Sequence, residues 1–317
     1  MRNIIRRGDV GNDVKSIQLK LGIKDDGKFG PKTEEAVKIF QGKYGLEIDG
    51  IVGIDTQKAI FGHEIEDYID TEMDESIYDI MLLDEDEYLQ GPNNPEYIFI
   101  HHTAGWNNPY KTIGNWNRDS RGRIGTEFVI GGQSVKGDDS KWDGDIVKCM
   151  EDGGYGWHLG KNGSQSMHVN SVGIEVNNFG YLTKGGYKAR VNGKRTWIKA
   201  DPNSFYTYVG TRVHPDQVCD LGYEWRGYQY WHNYSDRQIE SLRDLILFIS
   251  ERNGIDISKG ITEWLHQEEP VDAFDFKKKA WSGDVKGILS HSNIRKDKTD
   301  MYPHPKLIEM LKSLKQK

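Results

Sequence analysis

Near the start of the chain, apolar residues recur at helical spacing, first at Val10, Val14, Ile17 and Leu21, then at Ala36, Val37, Phe40 and Tyr44. Spacing of this kind gathers side chains on one helix face, which must be buried against another element. Two turn-like segments punctuate these stretches: Asp26-Gly27-Lys28-Phe29-Gly30-Pro31-Lys32-Thr33 and, 23 residues later, Asp49-Gly50-Ile51-Val52-Gly53-Ile54-Asp55-Thr56. Glycine supplies the positive φ of the turn, and Thr33 or Asp55 is expected to cap the helix that follows. Residues 1–62 thus read as a small all-α domain of three helices. From Tyr97 the pattern changes. Tyr97-Ile98-Phe99-Ile100-His101-His102 reads as a buried strand, with further strands expected at Thr126 to Ile130, Ile146 to Glu151 and Val172 to Asn177. Helices are expected at Lys111 to Arg118 and Asp236 to Arg252. The second is marked by Ser235 and Gln238 as a capping box, by Ile239, Leu242, Ile246 and Ile249 as its apolar face, and by Asn253-Gly254 as its stop. Strands interspersed with helices define a mixed α/β domain, a central sheet flanked by helices, over residues 95–317.

Between these regions, residues 63–94 read as an acidic connection. His63 to Gln90 holds twelve Asp or Glu and no Lys or Arg, with Ile77, Ile80, Met81, Leu82 and Leu83 scattered through it as the apolar side of a short helix. The net charge of -7 is therefore concentrated in one segment, and the flanks are mildly basic, which suits an anionic polymer. No apolar run approaches the roughly 20 residues of a membrane span. Met1 to Arg7 lacks the apolar stretch of a signal peptide, so the chain is expected to stay in a cytoplasm until something else releases it. The two cysteines, Cys149 and Cys219, lie too far apart in sequence for a metal knuckle and read as buried free thiols.

Candidate chemistry lies at two distant places. His101-His102-Thr103 ends a strand, where alternation lets only one of the two imidazoles face a given site. Ser290 to Asp300 brings His291, Asp297, Lys298 and Asp300 within eleven residues. A hydrolytic zinc site needs three protein ligands drawn from His, Asp, Glu or Cys, and one open position. The spacing by itself leaves open whether His291 belongs to such a site or to a polar loop.

Taken in order, Ile98 to Ala104, Trp157-His158-Leu159-Gly160, Ser171 to Val176 and His291 to Asp300 resemble the N-acetylmuramoyl-L-alanine amidase type 2 family, whose fold peptidoglycan recognition proteins and several phage lysins share. Residues 4–62, with Arg7-Gly8-Asp9-Val10-Gly11 and both Asp-Gly turns, resemble the peptidoglycan-binding type 1 domain. The amidase resemblance implies one Zn2+ per chain held by His101, His291 and Asp300, with Asp297 the rival third ligand. It implies Glu175 as general base and acid and Lys298 as the group facing the oxyanion, with His158, Trp157, His102 and Thr103 lining the substrate groove. A tyrosine used by some phage members is missing, since Gly125-Thr126-Glu127-Phe128 stands in its place, which leaves Glu127 as a second carboxylate candidate. The stretch between Gly180 and Tyr230 is an insertion, and Tyr206, Tyr208, Trp225, Tyr228, Tyr230 and Trp231 in it are either sugar-stacking or core residues. The activity so implied is cleavage of the bond between N-acetylmuramic acid and L-alanine by an endolysin-like protein. It is expected to be a monomer with peptidoglycan as partner, to engage no nucleic acid and no membrane stably, and to act at the wall after leaving a host cytoplasm. A wall-binding protein without catalysis and a zinc endopeptidase of the stem peptide are the alternatives.

Overall fold

The computed structural model describes residues 5–61, 77–91, 94–160 and 163–314. The chain forms two compact units, Met1–Ile77 and Tyr78–Lys317. In the first, helices α1 (Asn12–Lys20), α2 (Pro31–Lys43) and α3 (Ile54–Phe61) surround Ile5, Val14, Ile17, Phe29, Val37 and Val52. The 23-residue repeat is a repeat of hydrogen bonds. Gln18 Nε2 donates to Asp26 Oδ1 (2.9 Å), the Lys28 carbonyl (3.1 Å) and Thr33 Oγ1 (3.0 Å), while its Oε1 accepts from Gly27 N–H (2.8 Å). Gln41 repeats this with Asp49, Ile51, Thr56 and Gly50. Both glutamines are buried with every side-chain group satisfied, so each turn is locked to the preceding helix. Thr33 therefore does not cap α2. Gly30 holds the cap position with Pro31 at the first helical residue, and the Thr33 hydroxyl is taken by Gln18. The Asp55 side chain lies outside the described residues. Val10 and Tyr44, expected on the core faces, are 60% and 53% exposed; Tyr44 instead stacks on Phe40.

The second unit is built on a six-stranded sheet. Its strands are β1 (Asp79–Ile80), β3 (Tyr97–His102), β4 (Phe128–Ile130), β5 (Ile146–Lys148), β7 (Ser171–Val176) and β14 (Gly287–Ser290), in the order β1-β5-β4-β7-β3-β14. The short strands β2 (Leu89–Gln90) and β6 (Gly154–Tyr155) pair beside it. The four strands β4, β7, β3 and β14 run parallel, and β3 and β7 are buried on both faces, as parallel strands between helical layers must be. The acidic stretch departs from its expected helix. From Tyr78 it belongs to this unit, pairing with β5 and continuing with Met81 N–H and Leu83 N–H donating to the Lys148 and Cys149 carbonyls. An edge strand with unpaired backbone groups offered it those bonds, and Leu83 and Tyr88 join the core there. Residues 62–76 of that stretch lie outside the described residues.

Helix α4 (Pro109–Trp116) starts at Asn108, whose side chain accepts from Lys111 N–H, and α5 (Gln165–Val169) precedes β7. Helix α6 (Asp236–Asn253) has the expected Ser235–Gln238 capping box and ends at Gly254 with φ 67°. The insertion after Gly180 forms β8 (Tyr181–Lys184), β11 (Phe205–Tyr206), β12 (Val218–Trp225) and β13 (Tyr228–His232), a four-stranded sheet in the order β11-β8-β13-β12. From it rises a hairpin of β9 (Gly186–Val191) and β10 (Lys194–Lys199), turned at Asn192 and Gly193, both at positive φ as a two-residue hairpin turn requires. Trp225 and Trp231 are core residues, with Trp231, Tyr302 and Tyr234 stacked in succession. Cys149 and Cys219 are free and buried. Short helices α7 (Ile261–Trp264), α8 (Pro270–Ala273), α9 (Lys278–Trp281) and α10 (His291–Ile294) surround β14, and α11 (Pro305–Ser313) packs on α6. No helix among the described residues is long and apolar enough to cross a membrane.

Candidate metal centre and active site

Parallel pairing puts the site together. His101 on β3 lies opposite Glu175 on β7, so their side chains share one face of the sheet, and β14 on the other side of β3 delivers His291 as the first residue of α10. Asp300 comes from the loop beyond. Its Oδ2 is 3.1 Å from His101 Nδ1 and 3.1 Å from His291 Nδ1, and all three residues are buried. Their candidate ligand atoms lie within 4.8 Å of one another. Asp297, the rival, is turned outward in a two-pronged ion pair with Arg295.

The hydrogen-bond network fixes where the lone pairs point, because each chain of contacts ends on a carbonyl that can only accept. His291 Nε2 faces the Leu159 carbonyl at 3.2 Å and so carries the proton, leaving the Nδ1 lone pair toward Asp300. Ser171 Oγ donates to the His168 carbonyl (3.3 Å) and accepts from His158 Nε2 (3.0 Å), so His158 Nδ1 accepts from His101 Nε2 (3.0 Å). His101 Nδ1 is then also a lone pair aimed at the same carboxylate oxygen. Burial lowers the His101 pKa to about 4, against the pull of Asp300, so this imidazole is neutral at pH 7. Burial works to raise the Asp300 pKa, but protons held by the facing nitrogens of His291 and His101 would override it and hold the carboxyl well below its usual range, so in the absence of such protons a cation has to take their place. Three acceptor atoms converging in a buried pocket need a cation or a proton between them. Two imidazoles and a carboxylate, with the far side of each imidazole hydrogen-bonded, form a donor set that fits zinc.

The cleft in front of this group is lined by His101, His102, Thr103, Trp106, Trp157, His158, Glu175, Tyr208, His291, Lys298 and Asp300, among others. Among the described residues Glu175 has no hydrogen-bond or ion-pair partner. Burial, with the Asp300 charge adding to it and Lys298 opposing, raises its pKa well above the usual carboxyl value. The expected groove residues have mixed placements. Trp157 stands edge-on to His168, and His158 backs His101 rather than standing free. His102 sits on the opposite face of β3 with Nδ1 3.0 Å from the Tyr234 hydroxyl, and the Thr103 hydroxyl accepts from Asn178 N–H (3.2 Å). Glu127 is not in the cleft wall. It is buried and paired with Arg252 at 2.9 Å. Of the six aromatics singled out in the insertion, Tyr208 reaches the cleft, its hydroxyl donating to the Ala104 carbonyl at 2.8 Å.

One residue that the sequence did not reveal governs the Lys298 loop. Arg226 sits at the β12–β13 turn with φ 50°, unusual for a residue bearing a Cβ. Its guanidinium donates to the carbonyls of Ser292 (3.0 Å), Arg295 (2.9 Å), Lys296 (3.0 Å) and Lys298, and pairs with Asp275 (2.5 Å). The insertion thus grips the segment that runs from His291 to Asp300.

A mixed α/β unit with such a donor set and a half-buried carboxyl of raised proton affinity has the makings of a metal-dependent hydrolase. The chain belongs to the N-acetylmuramoyl-L-alanine amidase family, whose sequence model matches residues 91–305, and a putative peptidoglycan binding domain matches residues 10–60. The zinc D-Ala-D-Ala carboxypeptidase of Streptomyces albus G is 35% identical over 65 residues, 18% of this chain and 26% of that protein. A solved peptidoglycan-binding protein from Clostridioides difficile, in complex with glutamine hydroxamate, is 42% identical over 18% of this chain and 39% of its own, with a TM-score of 0.18. The N-acetylmuramyl-L-alanine amidase AmiD from E. coli is 15% identical over 53% of this chain and 47% of its own, with a TM-score of 0.28. The chain spans about a quarter of the length of the curated relative it matches.

Proposed function

We propose that the second unit hydrolyses the amide bond between N-acetylmuramic acid and L-alanine in peptidoglycan, and that the helical region of the first unit, within residues 1–62, holds the protein on the wall. The observation that carries this reading is the convergence of His101, His291 and Asp300 beside a half-buried Glu175 without an ion-pair partner among the described residues, in a chain of the amidase family. His101, His291 and Asp300 hold one zinc ion. Zinc in such a set supplies Lewis-acid chemistry, making water a stronger acid and a carbonyl more electrophilic.

The protein's own groups do the rest. Glu175, its proton affinity raised by burial, takes a proton from the attacking water and passes it to the departing alanine nitrogen as the C–N bond breaks. Lys298, whose ammonium makes no ion pair among the described residues, presents positive charge where the carbonyl oxygen becomes an oxyanion. His158, bonded to the back of His101, keeps that imidazole in one tautomer. Trp157 and Tyr208 wall the groove for the glycan and peptide. Release of such a protein from a host cytoplasm as a lysin, and action as a monomer, belong to the same reading.

The test uses isolated wall sacculi and purified protein. New L-alanine amino termini without new reducing sugar ends are expected. Reducing ends without amino termini mean a glycosidase, fragments retaining L-alanine on muramic acid mean an endopeptidase, and no products with zinc bound mean a binding protein.

A further inference from the structure

From Tyr181 to Ala200 the insertion carries six Lys or Arg and no Asp or Glu. The β9–β10 register sorts these cations by face. Arg190 is paired with Arg195, Lys188 with Trp197, and Gly186 with Lys199, so four cations and a tryptophan share one side. All five side chains are exposed, Trp197 by 43%, and none of the four cations has an ion-pair partner among the described residues. The ring of Trp197 lies across Gly186, where a Cβ would come within 2.9 Å of it. On the other side of the hairpin, Tyr187 packs toward Tyr206. Placing two arginines directly opposite each other costs stability unless an anion lies between or over them.

We propose that this hairpin face binds a linear phosphodiester polymer of the cell wall. Positions on this face recur every ~7 Å along each strand, because alternate residues share a face, and they hold Lys188 and Arg190 on one strand and Arg195, Trp197 and Lys199 on the other. A guanidinium pairs with phosphate through two parallel hydrogen bonds, and an exposed indole offers an apolar surface to the polyol or sugar between phosphates. The choice of a wall polymer rests on the proposed function, since the hairpin rises from the same compact unit as the metal centre and reaches what lies beside its substrate.

The test titrates the full-length protein with fluorescent poly(glycerol phosphate) at several salt concentrations. In the variant Lys188→Gln/Arg190→Gln/Arg195→Gln, affinity is expected to fall by about tenfold or more, with a shallower dependence on salt. Lys194→Gln, on the opposite side of the hairpin, is expected to leave affinity within about twofold, which controls for loss of folding. Unchanged affinity in the triple variant overturns the proposal. So does equal or tighter binding of wild type to poly-glutamate, which means a carboxylate site, or to vesicles containing phosphatidylglycerol, which means a lipid surface. Hydrolysis of a short soluble muropeptide is expected to be the same in wild type and triple variant. A protein that hydrolyses but ignores the polymer sinks this inference alone, and one that binds the polymer but hydrolyses nothing sinks only the amidase reading.

Discussion

Replacing Arg226 by alanine removes a guanidinium that serves four backbone carbonyls between Ser292 and Lys298. A hydrogen bond contributes ~1 kcal/mol net, and the partly open loop lets water replace some of what is lost, so the segment loses ~2 to 4 kcal/mol of ordering. Asp275 adds little to this, because its side chain is 58% exposed and rehydrates once its partner is gone. His291 and Asp300 flank the same segment, so the cost appears as a smaller fraction of molecules with the ligands assembled. At 1.4 kcal/mol per factor of ten, zinc affinity should drop by about 30-fold to 1000-fold. The assay transfers zinc to a chromophoric chelator and follows muropeptide hydrolysis at saturating zinc in parallel. Arg226→Lys keeps the charge but not the planar fork, and should recover only part of the loss. If Arg226→Ala binds zinc as wild type does, or if melting shows that the whole unit has unfolded, the clamp argument is wrong.

Other expectations follow from the same geometry. Glu175→Ala should retain full zinc content by atomic spectroscopy while kcat falls by about 10²- to 10⁴-fold; hydrolysis near the wild-type rate removes Glu175 from the mechanism. The native Glu175 carboxyl holds its proton more tightly than an unfolded chain's carboxyl does. Stability is therefore lost as pH rises from the ordinary carboxyl range through its raised pKa, and Glu175→Gln should melt higher than wild type at pH 7, with the gain vanishing near pH 4. Asp300→Asn should abolish the rise in melting temperature that zinc gives wild type, a rise worth about 4 kcal/mol when zinc is 1000-fold above its Kd. His102, His232 and His304 are buried and neutral, with pKa values lowered by burial to about 4, about 3 and about 4. Their unfolded counterparts titrate near 6.5, so stability should be lost as pH falls from there, with calorimetric proton uptake on unfolding at pH 5 that shrinks in His304→Gln.

Much of this was legible because strand and helix periodicities are local. The run Tyr97 to His102 announced a strand buried on both faces, and Ser235, Gln238 and Gly254 marked the limits of the long helix almost to the residue. The candidate ligand set was readable only through resemblance, since nothing in the spacing of His291 and Asp300 distinguishes a metal site from a polar loop. What escaped is what depends on distant partners. The segment after Tyr78 looked helical because its apolar residues are clustered, yet an open strand edge captured it. Gln18, Gln41 and Arg226 carry nothing in their local sequence that singles them out. Their roles come from carbonyl groups many residues away, which carry no sequence signature.

The spacing between His101 and Glu175 is set by the distance between two hydrogen-bonded parallel strands, and His291 is fixed by a third. A sheet ladder is among the least deformable parts of a protein, so His101 and Glu175 keep their separation whatever happens at the rim. Segments such as 104–125 and the 186–199 hairpin can then be exchanged or lengthened without retuning the chemistry, provided the Arg226 turn keeps its grip on the His291–Asp300 segment. Divergence among wall hydrolases built this way should accumulate in what they grip rather than in how they cut.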